Sequence, residues 1–191
     1  TGIADNGSRL VAVGVTGTVS PDPNSPFGPR AGVWISDDDG ASWTRVPHDE
    51  AVFGGEGRHL MLSVIATDFG FVAAGDELWS SPDGWNWTRL GPMKPPVTPS
   101  LETASVNQVR RVARTLDGYV AVGACENACA WTSPDGLSWT PMAITYEPAD
   151  ATDTNGMFDV VVGPAGLVAV GSEGLRSDYN WDAAVWLSDE D

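Results

Sequence analysis

The sequence has few basic residues, since 10 Lys and Arg stand against 26 Asp and Glu among 191 residues, for a formal net charge of −16. Lys and Arg supply most of the affinity for phosphate backbones and for anionic lipid surfaces, so nucleic acid is not an expected partner. Long hydrophobic runs are also missing, and the apolar stretches of a few residues are too short for membrane insertion.

Helical patterning is missing as well. No window of 11 or more residues keeps an apolar stripe at helical spacing, whereas 22 glycines and 14 prolines interrupt the chain at short intervals. Short apolar runs bounded by turn residues are typical of β-strands. The apolar content of 42% is enough for a hydrophobic core, so the composition predicts an all-β globular protein.

An internal repeat determines the predicted architecture. Four near-identical apolar runs end in glycines that lie 61, 48 and 48 residues apart, and each run is followed by a Trp-led segment. The runs are Leu10–Gly14, Phe71–Gly75, Tyr119–Gly123 and Leu167–Gly171, and the segments begin at Trp34, Trp79, Trp131 and Trp186. With a further apolar stretch before each run, one unit contains four short strands in about 48 residues, which is typical of a β-propeller blade.

The chain is therefore predicted to hold about four four-stranded antiparallel blades, at about 1–47, 58–90, 107–142 and 157–191, the last of them incomplete. Two arrangements stay open at this point. The blades form a compact four-bladed ring, or they are a portion of a longer propeller of six or more blades or half of a ring that self-association or another chain completes. The second is favoured because an open propeller leaves strand edges exposed.

The segment from Ser36 to Trp43, Ser-Asp-Asp-Asp-Gly-Ala-Ser-Trp, resembles the Asp-box of the bacterial neuraminidase repeat family. Two shorter versions and a truncated fourth follow. The resemblance implies a propeller of the sialidase-like and sortilin-like superfamily, in which these turns are structural. The motif residues are Ser36, Asp38, Gly40, Trp43, Ser81, Asp83, Gly84, Trp87, Ser133, Asp135, Gly136, Trp139 and Ser188. Their oxygens are expected to accept backbone N–H groups across each turn, with glycine at positive φ.

The long, dissimilar connections fall on one face of the predicted blades, at 15–32, 46–58, 91–106, 141–156 and 172–183. Variable loops on a rigid scaffold are where binding residues concentrate. We therefore expect a secreted or cell-surface scaffold that presents these loops to a protein or a glycan. The candidate ligand-binding residues are Tyr146, Glu147, Asp178, Tyr179, Trp181, Arg110 and Arg111. Trp85, which lies outside the repeated positions, is expected to be incidental surface.

The alternative is a glycoside hydrolase of the sialidase kind. That reading would use Tyr146 with Glu147 as the nucleophile pair, but the Phe/Tyr-Arg-Ile-Pro motif of sialidases is absent and the arginines gather on one inner strand. The sequence therefore favours a non-catalytic protein. The 48-residue period also places Arg111 beside Asp159 of the next blade, and a structural contact between them is predicted.

The only two cysteines, Cys125 and Cys129, are predicted to form a disulfide across a hairpin loop, which favours an extracellular or periplasmic location. No cofactor or transition-metal site is expected, since His48 and His59 lie far apart. Ca²⁺ is a weaker expectation at three acidic groups, because their spacing matches no defined calcium loop: Asp37–Asp39, Asp150 with Asp153, and Asp189–Asp191.

Overall fold

The computed structural model describes residues 1–17, 28–93, 108–125, 127–144, 153–175 and 180–188. In these ranges the chain consists of short strands and one four-residue helix. The elements are β1 (Gly2–Asp5), β2 (Leu10–Thr16), β3 (Arg30–Ser36), β4 (Thr44–Arg45), α1 (Glu50–Phe53), β5 (Met61–Thr67), β6 (Gly70–Gly75), β7 (Leu78–Ser81), β8 (Thr88–Gly91), β9 (Gln108–Thr115), β10 (Gly118–Ala124), β11 (Ala128–Ser133), β12 (Thr140–Pro141), β13 (Asp153–Gly163), β14 (Gly166–Leu175) and β15 (Asn180–Leu187).

The strands form four antiparallel sheets in chain order, which confirms the predicted all-β class. Sheet 1 is β1-β2-β3-β4, sheet 2 is β5-β6-β7-β8 and sheet 3 is β9-β10-β11-β12, whereas sheet 4 has three strands, β13-β14-β15, among the described residues. The chain divides into two compact units, Thr1–Pro92 with sheets 1 and 2, and Met93–Asp191 with sheets 3 and 4. The predicted blade boundaries stay predictions.

The second strand of each sheet explains the repeated apolar run. All six residues of β6 are buried, and the central five residues of β10 are buried too. A strand enclosed on both faces needs apolar residues at nearly every position, because no side chain reaches solvent. The runs therefore lack the alternation of a half-exposed strand.

The glycine that ends these runs is required by a close approach between strands. A Cβ atom there would lie only 1.8 to 2.0 Å from a carbonyl oxygen of the preceding strand segment, the pairs being Gly75 with Leu60, Gly123 with Gln108 and Gly171 with Gly156. Each contact lies beside a β-bulge in the first strand of the sheet. Only glycine, which has no Cβ, allows the two backbones to come this close.

Within each unit, successive sheets pack face to face. We call the surface that a sheet turns toward the following sheet its forward face, and the surface turned toward the preceding sheet its backward face. In the first unit, Val13 and Ile35 of the forward face of sheet 1 share a core with Ala73 and Trp79 of the backward face of sheet 2. In the second unit, the forward face of sheet 3 meets the backward face of sheet 4, and the residues are Val120, Val122, Ala130, Val160, Ala169 and Trp186.

One predicted loop is wrong. The connection expected at 172–183 is largely strand, because β14 continues to Leu175 and β15 begins at Asn180. Glu173 pairs with Asp182 and Gly174 with Trp181, so the two strands extend the hairpin beyond the repeat. Backbone pairing satisfies the N–H and C=O groups of the paired residues in these two strands.

The predicted disulfide is present. Cys125 and Cys129 are bonded, with their Cα atoms 6.0 Å apart, and close the loop between β10 and β11. Both residues are buried, and the N–H of Cys125 donates to the carbonyl oxygen of Asn127 at 2.8 Å. The bond joins the ends of a hairpin whose strands already pair.

Replacing Gly123 with alanine should lower the free energy of unfolding by about 1–3 kcal/mol, because the new Cβ would overlap the carbonyl oxygen of Gln108. Urea denaturation monitored by tryptophan fluorescence measures the change. Gly163→Ala is the matched control, since the nearest atom to its added Cβ would be 3.4 Å away. Equal stability of the two variants would contradict the close-approach explanation.

Replacing both Cys125 and Cys129 with serine should lower the free energy of unfolding by about 2 kcal/mol. The reason is that the unfolded chain would regain the conformational entropy that this short disulfide loop removes. The same urea experiment tests it. A reducing agent should destabilise the unaltered chain by a similar amount and leave the double variant unchanged, and an effect on both would point to another cause.

Candidate functional site

The structure leaves most predicted ligand-binding residues untested. Tyr146, Glu147, Asp178 and Tyr179 lie outside the described residues, as does the side chain of Trp181. The backbone of Trp181 belongs to β15, opposite Gly174. A ligand-binding role for these residues stays a prediction.

Arg110 and Arg111 lie on β9 and contact the first strand of sheet 4. The Nε atom of Arg111 is 3.1 Å from Oδ1 of Asp159, which confirms the contact that the 48-residue register predicts. The guanidinium of Arg110 lies 5.5 Å from the ring centroid of Phe158. Both members of the ion pair are half-exposed, so the pair contributes at most about 1 kcal/mol. A ligand anion at Arg111 would have to compete with Asp159.

The Ser-Asp turns, which join the last two strands of sheets 1 to 3, are held by one hydrogen-bond pattern. In sheet 3, the N–H of Gly136 donates to Oγ of Ser133 at 2.8 Å, and Oδ1 of Asp135 accepts the N–H groups of Leu137 and Ser138 at 2.8 and 2.7 Å. Sheets 1 and 2 repeat this pattern around Ser36 and Ser81. The turn glycines have positive φ, at 89° for Gly40, 80° for Gly84 and 74° for Gly136.

These bonds lower the pKa of the turn aspartates. The hydroxyl and N–H of Ser42, with the hydroxyl of Ser36, lower the pKa of Asp38 to about 2. At Asp83, burial is the largest single contribution and raises the pKa. The hydrogen bonds from Asn86, Trp85 and Ser81 together outweigh it, so the pKa is lowered. The pKa of Asp135 is lowered mainly by the N–H groups of Ser138 and Leu137. These carboxylates act as hydrogen-bond acceptors inside the turns.

A concave surface among the described residues is a groove of about 600 Å³ in the first unit, beside α1. We call it the α1 groove. One wall is formed by the segment around α1 and the other by the Ser-Asp turn of sheet 2. The residues that line it include Val46, His48, Asp49, Trp85, Asn86 and Trp87. Trp85 lines this groove, is half-buried and packs against the core of the unit. The expectation that it is incidental stays a prediction.

The wall around α1 is held in place by side chains of sheet 2. Nε1 of Trp79 and Nε of Arg89 donate to the carbonyl oxygen of Val52 at 2.8 and 3.1 Å, and Nη2 of Arg89 donates to that of Gly54. Buried or half-buried donors thus satisfy the carbonyl groups at the end of a helix that is too short to be stable alone. The groove is therefore built by tertiary contacts.

Two charged clusters flank this wall. Glu50 contacts Arg30 at 3.0 Å and His48 at 2.8 Å, and the His48 hydrogen bond is the largest cause of the lowered pKa of Glu50. His59 lies 2.9 Å from Glu77 through Nδ1 and 3.1 Å from the carbonyl oxygen of Glu56 through Nε2.

The described residues contain no group of three or more His, Cys, Asp or Glu side chains that could hold a metal ion. At the first acidic group, Asp38 is engaged in its turn and Asp37 accepts from Arg9 at 2.6 Å. Residues 150 and 189–191 and the side chain of Asp153 lie outside the described part of the chain. Within the described ranges, no helix is long and apolar enough to cross a membrane.

Comparison with solved structures identifies neighbours that share the fold. A structure from the GH130 family of mannoside phosphorylases, described as containing glycoside hydrolases that target β-1,2 mannosidic linkages in Candida mannan, matches with a TM-score of 0.55 at 16% identity, over 98% of this chain and 66% of that chain. A glycosyl hydrolase from Bacteroides ovatus matches with the same TM-score, identity and coverage. A candidate glycoside hydrolase from Parabacteroides distasonis matches at 15% identity and a TM-score of 0.55, over 98% and 68%.

At this identity the likeness establishes the fold, and with the four sheets it confirms the β-propeller class. The chain spans about two thirds of the length of these neighbours. No protein-family model and no curated protein matches the sequence.

Acid should destabilise the fold through the turn aspartates. Because their pKa is lowered on folding, the ionised carboxylates stabilise the native state above the unfolded pKa of about 4, and that contribution is lost as the pH falls through the folded pKa, about 2 for Asp38. The triple variant Asp38→Asn, Asp83→Asn and Asp135→Asn should show a weaker decline in unfolding free energy between about pH 4 and pH 2. Asp117→Asn is the control, and an unchanged slope in the triple variant would rule out this origin.

Proposed function

We propose that this chain is a glycan-recognising portion of a glycoside hydrolase-like β-propeller. The observation that carries the proposal is the shared fold with structures described as glycoside hydrolases, over 98% of the chain. Fold alone does not specify activity, so the proposal also depends on surface chemistry that suits a sugar.

The α1 groove has that chemistry. Trp85 offers an aromatic surface on which the C–H face of a pyranose can stack, while His48, Asp49 and Asn86 provide polar groups for hydroxyls. Nδ2 of Asn86 donates to Oδ2 of Asp83 at 2.7 Å, which orients the amide. The network behind α1 holds one wall in place before any ligand binds, which reduces the entropy cost of binding.

Hydrolysis, as the more specific form of the proposal, would require residues beyond the groove. A glycosidase needs a carboxylic acid whose pKa is raised, whereas the pKa of Asp38, Glu50, Asp83 and Asp135 is lowered. The turn aspartates and Glu50 therefore do not suit the role of general acid. The pair Tyr146 and Glu147 remains the candidate for nucleophilic catalysis.

A second candidate function is a non-catalytic scaffold that presents its variable loops to a protein or a glycan. A non-catalytic role is favoured because several carboxylates already form ion pairs or turn hydrogen bonds. Examples are Asp159, Glu77 and Asp135. We also infer that the Ser-Asp turns make the chain an Asp-box propeller of the bacterial neuraminidase repeat type, without the sialidase motifs. The buried disulfide supports a secreted, periplasmic or cell-surface location.

Calorimetry and hydrolysis assays on the purified chain test the proposal, with a panel of β-1,2-linked manno-oligosaccharides, other oligosaccharides and aryl glycosides. We expect saturable binding of at least one glycan, weakened about fivefold to tenfold by Trp85→Ala through loss of stacking. Trp43→Ala, which removes an exposed tryptophan from the Ser-Asp turn of sheet 1, is the control.

Turnover abolished by Glu147→Gln would establish the hydrolase form, whereas binding without turnover would favour the scaffold. Binding that Trp85→Ala leaves unchanged would move the site away from the α1 groove. Absence of both binding and turnover across the panel would contradict a glycan-directed function.

A further inference from the structure

Arg9 links the Ser-Asp turns of sheets 1 and 2, both of which belong to the first unit. It lies in the turn between β1 and β2, and its guanidinium forms a two-pronged contact with the Asp37 carboxylate of the first turn. Nε donates to Oδ1 at 2.6 Å and Nη2 donates to Oδ2 at 3.2 Å. Nη1 donates to the carbonyl oxygen of Asp83 in the second turn. Three nitrogen atoms of one side chain thus bind two neighbouring turns, which fixes the plane of the guanidinium.

The same guanidinium lies over the indole ring of Trp85. Its Cζ atom is 5.9 Å from the ring centroid, a distance at which a cation is attracted to an aromatic face. Trp85 lines the α1 groove, whereas Arg9 is not among the described residues that line it. Arg9 therefore contacts the ring from outside the groove and leaves the groove side of Trp85 to a ligand.

The orientation of the Trp85 ring depends on contacts of this kind. The backbone N–H of Trp85 donates to Oδ1 of Asp83 at 2.9 Å, which holds the backbone but leaves the side chain free to rotate. Nε1 of Trp87 donates to the carbonyl oxygen of Gly84 at 2.6 Å, but the indole N–H of Trp85 has no acceptor within the described part of the chain. Packing against the core and the contact with Arg9 are what orient this ring.

The stem of Arg9 also fills the space beside the turn of sheet 2. A Cβ atom added at Gly84 would lie 3.4 Å from Cδ of Arg9 and 2.9 Å from Cγ2 of Val11. Gly84 directly precedes Trp85, so the backbone that carries the indole packs closely against sheet 1.

We propose that Arg9 is a positioning residue of the α1 groove, which holds the indole ring of Trp85 in one orientation before a ligand binds. The side chains of Arg9 and Asp37 are 23% and 54% exposed, so their ion pair adds little stability by itself. Its effect is geometric, because a ring that is already ordered loses less conformational freedom on binding. The inference rests on the proposed glycan function only for what the groove binds.

Fluorine NMR of the chain labelled with fluorotryptophan tests the ordering of the ring without any ligand. The Trp85 resonance is the one that Trp85→Phe removes. Arg9→Ala should shift and broaden this resonance, because the ring then samples several orientations. Arg45→Ala is the matched control, since it removes a guanidinium that lies 5.8 Å from the ring of Trp34, and it should leave the Trp85 resonance unchanged. A Trp85 resonance that Arg9→Ala does not alter would overturn the proposal.

Asp37→Ala provides a second route to the same result. It releases the guanidinium of Arg9 by removing a half-exposed carboxylate on a surface turn, so the fold is less affected than by loss of the whole arginine. The Trp85 resonance should change in the same direction as in Arg9→Ala. Circular dichroism of each variant confirms that it is folded, and a folded Asp37→Ala with an unaltered resonance would count against the positioning role.

Calorimetry with a β-1,2-linked mannotriose tests the consequence for binding through a double-mutant cycle. Arg9→Ala should weaken binding about threefold in the unaltered chain and should have no further effect in a chain that carries Trp85→Ala, because Arg9 acts through that ring. Independent losses that add would show that Arg9 acts by another route. Absence of binding by the unaltered chain would contradict the proposed function, and the NMR comparison would still decide whether Arg9 orders Trp85.

Discussion

Each sheet of this protein can bury both of its faces only between two neighbouring sheets, and the rest of the structure follows from that constraint. The second strand of each sheet is therefore apolar at almost every position, as β6 shows with six buried residues. Where a neighbour is present, valines and alanines are almost inaccessible. The same apolar pattern recurs at Ile3 and Val185, which are 60% and 63% exposed.

The repeated glycines and the Ser-Asp turns determine how the strands meet within each sheet. The glycines let the first and second strands approach at a bulge, where a Cβ atom at Gly75 would lie 1.8 Å from a carbonyl oxygen. The turns hold the outer strands through a carboxylate that accepts two or more hydrogen bonds, so a short surface turn becomes rigid. The repeat thus conserves backbone geometry in the interior and hydrogen-bond acceptors at the surface.

The α1 groove depends on residues that lie outside this repeat. The helix has only four residues, and its carbonyl groups are bound by Trp79 and Arg89 from sheet 2. A repeated tryptophan of the core therefore also supports an irregular segment through its indole N–H. This coupling places a half-buried tryptophan, an imidazole and an amide around one concave surface.

The sequence alone determined the strand content, the four-fold repeat, the disulfide and the contact between Arg111 and Asp159, because these depend on periodicity and local spacing. It did not predict that β14 and β15 extend through polar residues, since pairing with a partner strand outweighs local turn propensity. Nor did it predict that Trp85 lines one groove with His48 and Asp49, because those residues are distant in the chain. Only the tertiary structure decided which apolar faces are covered, because burial depends on the sheet that packs opposite and the repeat is nearly the same in every sheet.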